Sequence, residues 1–175
     1  MPARSSPGAL SVSHRVLRIL IKLNLFMGVL ILALLIASLV AEGPVMRALG
    51  VGPALGNSWL ILGMRLIMVF GIAAVAITHT VLGRLLAIVE TVTVGDPFVV
   101  ENAVRLQKIA WAVLALEVLH LVIVAVAANV STPKAPLDIG WDFSVTRWLA
   151  VLLLFVLARV FETGARMREE LEGTV

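Results

Sequence analysis

Residues 109–128 read IAWAVLALEVLHLVIVAVAA, with one formal charge, Glu117, and one histidine, His120. A helix that crosses a bilayer needs about 20 mostly apolar residues, so this stretch predicts a membrane span. A carboxylate near the middle of such a span is costly to desolvate and requires a partner or a task. The rest of the chain agrees with the membrane reading. Of its 175 residues 61% are hydrophobic and only 14% charged, and the mean hydropathy is +1.06. A soluble domain is about half apolar and about a quarter charged. Composition alone therefore places the chain in the membrane class.

Three more runs join the first. Spans are expected at about 23–41, 59–82, 109–128 and 146–163, in one domain covering 1–175 with residues 1–12 disordered. The fourth is the weakest, because Arg159 interrupts it. The first is longer than the apolar core of a secretory signal and lacks a good cleavage site, so it reads as a retained span. Lys and Arg cluster before the first span, between the second and third, and at and after the fourth: Arg4, Arg15, Arg18, Lys22, Arg84, Arg105, Lys108, Arg159, Arg166 and Arg168. The positive-inside rule then predicts that both termini are cytoplasmic. Trp59, Trp141 and Trp148 fall near the expected outer interface, where indoles prefer to sit.

The helical pattern does not stop at the membrane. Leu85, Ile88, Val89 and Val92 continue the second span, and Val99, Ala103, Leu106 and Ala110 lead into the third. Between them Gly95 can end a helix, Asp96 can cap the next one, and Pro97 fits a first helical turn. Glu101 and Arg105 are spaced as an i,i+4 ion pair. Phe161, Gly164, Met167 and Leu171 form a stripe after the fourth span, and Val12, Val16, Ile19 and Leu23 form one before the first. The expected fold is an all-α membrane protein: four transmembrane helices whose helical extensions bundle together in the cytoplasm. Its mixed-charge surface there includes Glu90, Glu101, Arg105, Lys108, Arg166, Arg168 and Glu169.

The segment LLAIVETVTVGDPFVVENAVRLQKIAW, with Gly95, Pro97, Phe98, Asn102, Leu106 and Ile109, resembles the central signature of a bacterial membrane family known as domain-of-unknown-function family 2975. The ending VFETGARMREELEGTV is similar to that family's mixed-charge tail. The resemblance implies a four-span bacterial inner-membrane protein with no established reaction. It also implies a gene neighbour encoding a small helix-turn-helix regulator, and an acidic or neutral residue where Arg159 stands.

Depth arithmetic suggests a buried cluster. Glu117 is 11 residues from Ala128, and Arg159 is 11 residues from Trp148. Each then lies roughly 16 Å below the outer surface. Glu117 and Arg159 are expected to pair, with His120 one turn along on the Glu117 face. Such a pair locks two helices; a proton or ion relay is the alternative use. His79 and His120 stand too far apart along the hairpin to share a metal, and a zinc site needs three or four ligands. Asp138 and Asp142 read as solvated turn residues, because further oxygen ligands for calcium are missing. Without cysteine there is no disulfide or thiolate metal site. No cofactor, metal or enzymatic nucleophile–base set is expected, and no basic run suggests direct nucleic-acid binding.

Asn24 and Ser38 are expected to hydrogen-bond between helices, and Arg65 to snorkel outward. The small-residue row Ala33, Ala37 and Ala41 suits close packing on another span or on a second copy in a homo-oligomer. Two functions follow. A non-enzymatic interaction module would dock a soluble cytoplasmic partner, such as the small DNA-binding regulator. A small ion-coupled transporter would use Glu117, His120 and Arg159.

Overall fold

The computed structural model describes residues 7–49, 58–95, 98–131 and 144–172. They form α1 (Pro7–Val40), α2 (Glu42–Ala48), α3 (Ser58–Val94), α4 (Val100–Val130) and α5 (Val145–Glu172). The four long helices are apolar and long enough to cross a membrane. The chain is an all-helical, multi-span membrane protein. Helix α1 already runs from Pro7, so residues 7–12 are helical where the sequence reading leaves them disordered. The short helix α2 follows α1 directly, in a segment read from sequence as a plain loop.

The helices form an open row. Helix α1 packs on α3, α3 on α4 and α4 on α5, while no comparable interface joins α1 to α5 among the described residues. The extensions expected to bundle together therefore line up side by side, with α1 and α5 at the two edges of the row among the described residues. Lipid tails solvate apolar side chains as well as leucine does, so an outer face need not be covered by protein. The stripe Val12, Val16, Ile19 and Leu23, which leads into the first span, also lies exposed. The packed side of α1 carries His14, whose Nε2 lies 3.4 Å from Glu90 Oε1, and Asn24, whose Nδ2 donates to Val75 O at 3.0 Å.

Close approach between helices is set by small residues. A Cβ placed on Gly63 would stand 2.5 Å from Val130 Cγ1, and one on Gly28 2.8 Å from Val75 Cγ1. Val130 closes a small apolar cluster with Met46 and Leu60, which ties α2 to the ends of α3 and α4. Arg65 tightens the same end: its Nη2 donates to Ser38 O at 2.5 Å and to Glu42 Oε2 at 2.8 Å. Ser38 is buried, but its hydroxyl donates to Leu35 O on its own helix and makes no bond to another helix. Ala33 and Ala41 are exposed and Ala37 is half-buried, so the small-residue row of α1 is only partly covered.

The contacts also fix the helix registers. Gly63 meets Val130 and Asn102 meets Thr91, so α3 and α4 run level. Helix α5 sits lower. Trp111 packs edge-on against Phe155 with ring centroids 5.2 Å apart, and Arg147 lies beside Glu117. Glu117 is 13 residues from Val130, whereas Arg147 is two residues into α5. The start of α5 is therefore displaced by roughly 15 Å toward the end that carries Arg84, Arg105 and Lys108. Trp148 sits level with the middle of α4 rather than at the outer interface. Trp141, Asp138 and Asp142 lie outside the described residues.

Candidate functional site

The intramembrane charge is balanced differently from the expectation. Glu117 Oε2 lies 3.8 Å from Arg147 Nε. That is a charge contact, too long for a hydrogen bond. The glutamate side chain is 15% exposed and the arginine 36%. Arg159 is elsewhere: it donates to Glu162 Oε2 at 2.8 Å, and Arg166 donates to Glu162 Oε1 at 2.7 Å. The Glu117–Arg159 pair does not form because the ends of α4 and α5 are not level. The apolar part of α5 is only Trp148–Ala158. With α5 lowered, Arg159 joins the polar ends of its neighbours instead of being buried. His120 is half-buried, and no hydrogen bond joins its ring to Glu117 or to any other described residue. Among the described residues no three His, Asp or Glu side chains are grouped so as to hold a metal ion.

The hairpin between α3 and α4 is built by the signature residues. Helix α3 ends at Val94, and Gly95 takes φ +96, a conformation costly for any residue with a Cβ. Gly95 N donates to Val92 O at 3.2 Å. Asp96 and Pro97 lie outside the described residues. Helix α4 begins only at Val100, with Val99 as its N-cap and no side-chain cap, so neither the expected Asp96 cap position nor Pro97 in the first turn holds. The reason lies in Phe98. Its ring packs on Phe161 at 5.2 Å between centroids, and a Cβ on Gly164 would stand 3.3 Å from it. The chain stays non-helical through Phe98 and Val99 and seats this ring on α5.

Asn102 is fully buried and completes the lock. Its Nδ2 donates to Thr91 Oγ1 at 2.7 Å, and Thr91 donates onward to Ile88 O at 2.7 Å. Arg105 Nη1 donates to Asn102 Oδ1 at 2.8 Å. Arg105 thus serves Asn102 rather than Glu101, the partner its spacing suggests. Glu101, Lys108, Arg166, Arg168 and Glu169 are all exposed, while Arg105 is half-buried.

Below the hairpin, α4 and α5 enclose a groove of about 510 Å³. Its apolar floor includes Val100, Val104 and Phe155, and its α5 wall alternates Arg159, Glu162, Arg166 and Glu169. Two of the seven residues read from sequence as the mixed-charge cytoplasmic surface, Arg166 and Glu169, line it. Arg105 lines a separate notch between α3 and α4 with His79 and Arg84. Sequence reasoning missed Arg147 as the partner of Glu117, although the shortness of the apolar run in α5 was a usable signal. It also missed the His14–Glu90 contact, because exposed histidines carry no periodic signature.

No curated protein and no solved structure matches the chain. Residues 29–175, most of its length, match the model of the protein family of unknown function DUF2975, and the chain belongs to that family.

Proposed function

We propose that the chain is a non-enzymatic interaction module of the bacterial inner membrane, with both termini in the cytoplasm. Its α4–α5 groove docks a helix of a soluble partner. The observation that carries this reading is the groove itself, with an apolar floor beside a wall whose charge alternates Arg159, Glu162, Arg166, Glu169. An amphipathic helix recognises such a surface by burying its apolar face and pairing its own alternating charges. The favoured partner is the small helix-turn-helix regulator that the family resemblance implies. The orientation rests on the Lys and Arg distribution.

The test is a photo-crosslinking residue in place of Val104, in full-length protein in its native membrane. A protein adduct that disappears when Arg166 and Glu169 exchange charges supports docking. Adducts to lipid alone, or an adduct indifferent to the charge exchange, overturn it. A reporter active only outside the cytoplasm, fused after Val175, should be silent.

The transport reading keeps one observation in its favour, the Glu117–Arg147 contact within the spans. Proton flux in reconstituted vesicles, lost in Glu117→Gln while the fold persists, would make it the better account.

A further inference from the structure

We infer that the notch between α3 and α4, lined by His79, Thr80, Gly83, Arg84, Ala87 and Arg105, binds the phosphate of an anionic lipid headgroup. The notch is a shallow, open depression of about 350 Å³. Two guanidinium groups, one from each helix, line it, and no carboxylate does. The Arg84 side chain has neither an ion pair nor a hydrogen bond with any described residue, and its Nε is shielded from solvent. A half-buried guanidinium with an orphaned Nε and its remaining donors at the notch favours a counter-charge from outside the chain. Arg105 gives Nη1 to Asn102 and keeps its remaining donors. The next carboxylate along α3, Glu90, is engaged by His14. Planar guanidinium forks match phosphate oxygens in both geometry and charge.

Depth identifies the source of the phosphate. Arg65 and Arg84 lie 19 residues apart on α3, or about 28 Å along a helix. That is close to the thickness of the hydrocarbon layer, about 30 Å. At one edge Arg65 is balanced by Glu42. At the other edge Arg84 is level with the headgroups and has no such partner. More positive charge surrounds it at this depth. The Asn24–Val75 and His14–Glu90 contacts bracket Arg18 and Lys22 of α1 to the same stretch of α3. Basic pockets between spanning helices are suited to anionic headgroups. Gly83 borders open space, since a Cβ there would meet nothing within 4 Å, so a larger side chain can be placed into the notch without a clash.

The experiment places the full chain in phosphatidylcholine nanodiscs with increasing phosphatidylglycerol. It reads the lipid retained after mild extraction by mass spectrometry, and thermal unfolding in parallel. The expected result is selective retention of phosphatidylglycerol and a raised unfolding temperature. Arg84→Gln with Arg105→Gln should lower that selectivity by about tenfold or more. Gly83→Leu, which fills the notch and leaves both charges in place, should also lower it. Arg18→Gln with Lys22→Gln removes equal charge outside the notch and should leave most of it. Equal losses in the two double variants would mean a general surface potential and overturn the site. Retained selectivity in both the Arg84/Arg105 and the Gly83 variants would do the same. Inorganic phosphate in phosphatidylcholine discs should give no stabilisation; an equal effect from it would replace the lipid with a soluble anion and overturn the assignment.

Discussion

Glu117 and Arg147 approach to 3.8 Å within the apolar part of the molecule, where each charge alone would be costly. Neither side chain is fully buried, so breaking the contact should cost less than the roughly 3–5 kcal/mol of a fully buried pair. Arg147→Leu, which strands the more enclosed Glu117, should therefore destabilise. Glu117→Gln should be milder, because Arg147 is more exposed and can reach water or headgroups. The double variant should cost less than the sum of the two, as read from unfolding temperatures in detergent. Strict additivity would mean that the contact contributes nothing. Asn102 offers a second test at this scale. It is fully buried, and its amide joins Thr91 of α3 to Arg105 of α4. Asn102→Ala leaves the Arg105 guanidinium without its acceptor and should cost about 1–3 kcal/mol. Asn102→Asp keeps an acceptor for Arg105 but loses the donor to Thr91, so partial recovery would separate the two bonds.

Between elements, packing is controlled by where a Cβ is missing. At Gly63 a Cβ would crowd both methyls of Val130, so α3 and α4 cannot keep their spacing with alanine there. Gly63→Ala should destabilise by about 1–3 kcal/mol through overpacking, despite its better helix propensity. Adding Val130→Ala should recover part of the loss, and a double variant as damaging as the sum would disprove the steric account. The same logic holds at Gly164, where Phe98 lies against the helix. The helices were legible because long apolar runs and 3.6-residue stripes are collective signals. The end of α3 at Gly95 was legible because few residues adopt positive φ. The start of α4 was not, because local capping preferences placed the helix at Asp96–Pro97 while a tertiary contact, Phe98 on Phe161, holds the chain non-helical for longer. The Glu101–Arg105 spacing likewise gave way to a buried amide competing for the same guanidinium.

For the molecule as a whole, the decisive feature is the register of α5. Arithmetic on span lengths assumes that neighbouring helices end at one level. That assumption set Glu117 opposite Arg159, and no periodicity in the sequence contradicts it. What lowers α5 is the balance of its two parts, a short apolar run, Trp148–Ala158, and a charged extension beginning at Arg159. Sliding α5 down keeps Arg159 with Glu162 and Arg166 beside the polar end of α4, at the cost of drawing Arg147 inward, where Glu117 receives it. The two registers predict different neighbours. In the observed one Trp111 faces Phe155; with level ends it would face a residue near Ala165, about two to three turns further along. The chain has no cysteine, so introduced thiols report without background. Trp111→Cys with Phe155→Cys should crosslink readily under mild oxidation in the membrane, and Trp111→Cys with Ala165→Cys should not. The opposite outcome would restore the level register. It would also separate Glu117 from Arg147 and dismantle the groove, since that cavity is formed where Val100, Val104 and Gln107 of α4 stand beside Phe155, Arg159 and Glu162 of α5.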